Sequence, residues 1–166
     1  MPRLPACYEF IKGQDPKAAI IDVPQSYSGS STDINGVCTY WQSLHRCPTT
    51  AGYSGVPNAA YDMNVLEQSP FAVARLADPG YLASARAGAS RPTDFREHVR
   101  KYLASHRIRY IVVHTEGRLL LNQSGEKLVD TAVLERVRSQ LDSAKVFEDE
   151  MATVYDQVRL ERPNLP

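Results

Sequence analysis

Ile108 to His114, IRYIVVH, is the segment that most limits what this chain can fold into. Its apolar side chains are nearly continuous and largely β-branched, so neither face of an extended strand can point at water. Such a strand belongs in the middle of a sheet covered on both sides. A second run, KAAIIDVP, has the same character and stops at Pro24. It reads as another buried strand, suited to a parallel neighbour. Helical patterning separates the two runs. A crossover connection and an α/β fold follow.

Residues 4–12, LPACYEFIK, form an amphipathic helix with Leu4, Cys7, Tyr8 and Ile11 on one face and Gly13 as its stop. Val65 to Leu76 reads as helical, with Ser69 and Pro70 fitting an N-cap and a first position. Asp78-Pro79-Gly80 breaks it, Tyr81 to Ala87 reads as another short helix, and residues 88–92 as a linker. The plainest helix spans Thr93 to His106, with Thr93 as N-cap and Phe95, Val99, Tyr102 and Leu103 as its buried stripe. Residues 117–127 read either as a short strand and turn or as an excursion into the next helix. That helix runs from Asp130, its N-cap, to Leu141, with Val133, Leu134, Val137 and Leu141 inward. Lys145–Glu148 and Thr153–Val158 flank Asp149-Glu150 as a closing β-hairpin. The expected architecture is one α/β domain over residues 1–160. It has a mixed, mainly parallel sheet flanked by helices and a C-terminal hairpin, with residues 161–166 as a flexible tail.

Charge excludes one class of partner. The chain carries 19 basic and 19 acidic residues, a net charge of zero, whereas nucleic-acid binders carry a basic excess. The basic stretch from Arg96 to Arg109 reads as a solvated helix face around a helix end and a strand start. No run approaches the ~20 apolar residues of a membrane span, and the N-terminus lacks the apolar core of a secretory signal. The chain as given reads as soluble. Its cysteines, Cys7, Cys38 and Cys47, have no zinc-ligand spacing. Free thiols are the preferred reading, with a Cys38–Cys47 bridge as the alternative. Neither a metal nor a cofactor is expected, since nucleotide, phosphate and metalloprotease motifs are all missing from the sequence. Gly52-Tyr53-Ser54-Gly55 places its serine one residue away from the nucleophile-elbow pattern.

The candidate site lies elsewhere. Thr39 to Gly55, TYWQSLHRCPTTAGYSG, gathers aromatic rings, an imidazole and glycines without helical or strand period. That composition suits a binding loop. Tyr40, Trp41, His45 and Tyr53 are candidates for a stacking platform on which the C–H face of a sugar ring packs, with Ser54 in the adjoining turn. Plugging one end of the sheet is the competing role for these rings. Asp22 and His114 sit near the carboxyl ends of the two buried strands, where ligands gather in α/β sheets. If those strands are parallel neighbours, Asp22, His114 and His45 converge on one crevice. The competing reading makes Asp22 a loop cap and leaves His114 on a local carbonyl. His98 and His106 are two turns apart on one helix and read as solvated.

With these residues in view, the chain resembles the soluble C-terminal region of bacterial multi-spanning membrane proteins of the GT-C glycosyltransferase type. The resemblance rests on Ile20-Ile21-Asp22-Val23-Pro24, then Tyr40 through His45 and Pro48 with Gly52-Tyr53-Ser54-Gly55. Ile108 through His114 follows, and Val146-Phe147-Glu148-Asp149 with Val154-Tyr155 closes it. The resemblance implies an accessory, non-catalytic domain on the extracytoplasmic face of a bacterial membrane. The catalytic acid of that family is expected in the membrane part, so none is assigned here. Its expected partners are a glycan or lipid-linked sugar, and the membrane through spans that lie outside this sequence. Two alternatives stand beside it. One is a small hydrolase or transferase with His114 or His45 as general base. The other is a scaffold that packs on membrane helices.

Overall fold

The computed structural model describes residues 4–25, 44–49, 68–78, 80–82, 95–115 and 129–162. In chain order the described elements are α1 (Ala6–Gln14), β1 (Ala19–Val23), α2 (Val73–Leu76), α3 (Phe95–His106), β2 (Ile108–His114), α4 (Thr131–Leu141), β3 (Lys145–Glu148), β4 (Ala152–Asp156) and α5 (Gln157–Glu161). A 3-10 turn, Asp142–Ala144, joins α4 to β3.

The four strands form one mixed sheet in the order β1-β2-β4-β3. β1 runs parallel to β2, with Asp22 opposite Val112, and β4 runs antiparallel to β2, with Val112 opposite Val154. β3 and β4 are the expected hairpin. Further parallel contacts extend the β1 side of the sheet, where Ile20 bridges Thr49 and Gln25 bridges Ala72. β2 is the central strand its composition demands, and all its residues but Arg109 are buried.

The alternation of side chains divides the core between the two faces of the sheet. One face carries Ile20, Tyr110, Val112, Ala152 and Val154, which pack with Cys7, Tyr8 and Ile11 of α1. The other carries Ile21, Val23, Ile111, Val113 and Tyr155 beneath Val99 and Leu103 of α3, Leu134 and Val137 of α4 and Leu160 of α5. The helices therefore sandwich the sheet. Asp130 caps α4 by accepting from the Ala132 amide at 2.9 Å.

Several boundaries differ from the sequence reading. α1 continues through Gly13 to Gln14. Of the helix expected from Val65 to Leu76, Gln68 and Val73–Leu76 are helical among the described residues, and the chain leaves the helix between them at Ser69. Ser69 instead turns the chain, accepting from the Phe71 amide at 3.1 Å while its hydroxyl donates to Gln25. Tyr81 and Leu82 lie in a turn, not a helix, where Asp78 accepts from the Gly80 amide at 2.8 Å. The last strand ends at Asp156, because its carboxylate accepts from the Val158 amide at 2.9 Å and starts α5. Residues 157–161 are therefore helix, not strand and tail. Thr93, residues 83–92, residues 117–127 and residues 163–166 lie outside the described residues.

α3 ends at His106 and is followed by Arg107, whose φ of 55° lies in the left-handed region. The Arg107 amide donates to the Ala104 carbonyl at 3.3 Å, and the chain reverses into β2. A side chain at such a position costs roughly 1 kcal/mol relative to glycine. Arg107→Gly will therefore raise the urea midpoint, by up to about 1 kcal/mol in unfolding free energy. A lower midpoint would show that the arginine side chain contributes more than its backbone strain costs.

Candidate functional site

Parallel pairing of β1 with β2 brings Asp22 and His114 to the same end of the sheet, on the face covered by α1. His114 Nε2 lies 3.0 Å from Asp22 Oδ1. The Tyr8 hydroxyl of α1 donates to the same oxygen at 2.5 Å and sits 3.4 Å from His114 Nε2. Thr49 Oγ1 donates to the other carboxylate oxygen at 3.1 Å. Thr49 reaches this point because the Ile20 amide donates to the Pro48 carbonyl at 2.8 Å, which lays residues 48–49 along the outer edge of β1.

His45 completes the cluster. Its ring stacks on Tyr8 with centroids 4.6 Å apart and planes 10° from parallel. The Cys47 amide donates to His45 Nδ1 at 3.0 Å. An acceptor nitrogen carries no hydrogen, so the neutral ring holds its proton on Nε2. Among the described residues Nε2 has no hydrogen-bond partner. Tyr8, His45, Cys47 and His114 are each 1% exposed and Asp22 is 2% exposed.

The electrostatics follow from this burial. Desolvation pushes the Asp22 carboxyl up, but hydrogen bonding and charge attraction from His114, with hydrogen bonds from Tyr8 and Thr49, outweigh it. The carboxyl is held below its ordinary 3.8. Burial lowers His45 from 6.5, Lys12 adds to that, and attraction to Asp22 opposes it. Burial, reinforced by Asp149 and Asp22, pushes the Cys7 thiol up to about 12. Burial also raises Cys47, reinforced by Asp15. Both thiols are free and buried, and neither supplies a thiolate nucleophile near neutral pH.

The expected meeting of Asp22, His114 and His45 is thus present as geometry. It takes the form of a closed polar cluster instead of an open crevice. The competing reading, a loop-capping Asp22 and a His114 on a local carbonyl, does not describe it, since the two groups bond each other. Tyr40, Trp41, Tyr53 and Ser54, and with them the proposed stacking platform, lie outside the described residues. Cys38 does too.

Sequence reasoning missed Tyr8 and Thr49. Tyr8 read as a core position of α1, yet a buried tyrosine hydroxyl needs a partner. Asp22 is a buried charged side chain inside an apolar strand and needs donors for the same reason. Matching those two requirements was the available signal. His98 also departs from its solvated reading. Its Nε2 lies 3.0 Å from the Gln68 carbonyl and its Nδ1 2.7 Å from the Tyr81 hydroxyl. The acidic hairpin turn divides its roles. Asp149 accepts from the Met151 and Ala152 amides at 2.8 Å each, while Glu148 pairs with Lys145 and Arg138.

Among the described residues, no group of three or more His, Cys, Asp or Glu side chains is placed to hold a metal ion. No described helix is long and apolar enough to cross a membrane. In comparisons with known proteins, no family model, curated sequence or solved structure matches this chain.

Proposed function

We propose that this chain is a non-catalytic accessory domain of a membrane glycosyltransferase-like protein, positioned on the extracytoplasmic face. In this reading it holds a glycan or acceptor through Tyr40, Trp41 and Tyr53, while His45, 1% exposed and stacked on Tyr8, belongs to the enclosed cluster and is not a ligand contact. The observation that carries the non-catalytic half is the closure of the Asp22–His114–Tyr8 cluster. Acid, imidazole and hydroxyl bond one another at 1–2% exposure, so a substrate atom has no approach to them. A general base must come within hydrogen-bond reach of the proton it takes. The tyrosine hydroxyl here points its proton at the carboxylate, at 2.5 Å. The cluster serves instead to anchor α1 and the 44–49 segment on the strand ends, which fixes the base of the aromatic loop.

The test uses the isolated chain and its single tryptophan. Titration with a panel of neutral oligosaccharides should change Trp41 fluorescence saturably, at millimolar concentrations, for at least one glycan. The chain should not turn over a polyprenyl-linked sugar. A flat response across the panel would remove the glycan-holding role. Turnover that disappears in His114→Gln, with folding intact, would replace the accessory role with the general-base alternative.

A further inference from the structure

We infer that residues 45–47 form an acid-released plug on the Tyr8–Asp22–His114 cluster, hinged at Pro48. His45 is 1% exposed and lies flat on the Tyr8 ring, with centroids 4.6 Å apart. Its Nδ1 accepts from the Cys47 amide at 3.0 Å, which closes a turn over Arg46. Arg46 has a φ of 63°, a left-handed conformation that strains a residue with a Cβ. The imidazole lone pair therefore holds shut a turn that its backbone does not favour. The next two residues are pinned by other means. The Ile20 amide donates to the Pro48 carbonyl at 2.8 Å, and Thr49 Oγ1 donates to Asp22 Oδ2 at 3.1 Å. Neither bond uses the His45 ring, so the boundary between released and held chain falls at Pro48.

Protonation removes what closes the turn. A hydrogen on Nδ1 makes the acceptor a donor, and N–H then faces N–H at 3.0 Å. The ring gains nothing on its other side, since Nε2 has no hydrogen-bond partner among the described residues. A charged imidazole left in place would be buried without compensation, whereas one turned outward is hydrated. Arg46 and Pro48 are already exposed, so they lose no burial as the ring leaves. Burial of Cys47, 1% exposed, opposes the motion and keeps the plug shut at neutral pH. Outward movement uncovers Tyr8 and, through it, the carboxylate–imidazole pair.

The groups around the ring set the sign. Among the described residues α1 presents Tyr8 and Lys12, β1 presents Asp22 and β2 presents His114, while the turn itself carries Arg46 and Cys47. Burial opposes a charged His45 most, Asp22 attracts it, and Lys12 repels it. The Asp22 carboxylate is already engaged by His114, Tyr8 and Thr49. The net effect holds the folded value below 6.5, so a proton binds the released ring more tightly than the enclosed one. Release is therefore promoted as pH falls below about 7. A released imidazole of ordinary affinity is protonated about 30 to 1 at pH 5. That ratio is the ceiling on the shift in the opening equilibrium.

The test follows amide hydrogen exchange of the whole chain by NMR from about pH 7.5 to pH 5. Each rate is referred to the intrinsic rate at that pH, which leaves the protection factor. Protection at the Cys47 amide should fall by about fivefold or more, and should stay below that of Ile20 and Val112 throughout. His45→Gln keeps an acceptor for the amide without a titrating ring. His45→Phe keeps a ring on Tyr8 without an acceptor. Both should make Cys47 protection independent of pH, while His98→Gln should leave its fall as it is. Constant protection at Cys47 in the unaltered chain, or the same fall in both His45 variants, would overturn the proposal. So would equal protection at Cys47, Ile20 and Val112, because then only global unfolding frees the turn. The plug rests on the cluster and not on what the aromatic loop holds. Its failure would leave the accessory-domain reading standing, since neutral glycans and Trp41 decide that one.

Discussion

Asp22→Ala will lower the unfolding free energy by about 3–5 kcal/mol, the range for removing one partner of a buried charged pair. The substitution removes the acceptor shared by His114 Nε2, the Tyr8 hydroxyl and Thr49 Oγ1. Those donors then remain on a face where Asp22 and His114 are 2% and 1% exposed. Each orphaned donor costs about 1–3 kcal/mol, which is more than the small net gain of a typical hydrogen bond. Against a total stability of roughly 5–15 kcal/mol, the variant stands close to unfolding. Tyr8→Phe removes one donor, keeps the ring against His45 and costs only about 1 kcal/mol. In the double variant the two losses will add to less than their sum, because one of the donors stranded by Asp22→Ala is the hydroxyl that Tyr8→Phe deletes. Urea unfolding of the three variants measures all of this. A loss under about 1 kcal/mol for Asp22→Ala would mean the cluster is not a tie between α1 and the sheet.

The fold was legible in the sequence where pattern and burial coincide. IRYIVVH could only be a strand with two covered faces, and it is β2. AIIDV repeats the same composition beside it. Asp130 announced its helix because an N-cap interaction is local, made between neighbours in sequence. Elements fixed by distant partners were not legible. Gln25 receives the Ser69 hydroxyl and pairs its backbone with Phe71 and Val73, which takes Ser69 out of a helix. Asp156 pairs with Arg109 at 2.8 Å as well as capping α5, and that combination ends β4 two residues before its apolar alternation does. At the site, the positions of Asp22 and His114 at strand ends followed from the α/β rule. The closure of the cluster did not, since it depends on a tyrosine 14 residues before Asp22.

Acidification will destabilise this domain in two separate windows, the first opening near neutral pH. His45 and His98 both have folded-state values lowered from 6.5, principally by burial. The unfolded chain therefore binds protons there before the folded chain does, and stability falls as pH drops from about 7 through that interval. The stabilisation is fully present above the unfolded value and is lost towards the lower folded values. For His45 the geometry supplies the reason. Its Nδ1 accepts from the Cys47 amide at 3.0 Å, and a protonated ring would present N–H against N–H. Attraction to Asp22 is too weak to reverse the shift. The second window belongs to Asp22, lowered from 3.8 in the fold. Its contribution is intact above that unfolded value and disappears as pH falls through the folded one. Melting temperatures recorded between about pH 8 and pH 3 should show a gentle decline below 7 and a steeper one below 4. His45→Gln should reduce the upper slope and leave the lower one. Combining it with His98→Gln should flatten the upper window further. A melting temperature constant from pH 7.5 to 5 would show that neither imidazole is held neutral by the fold.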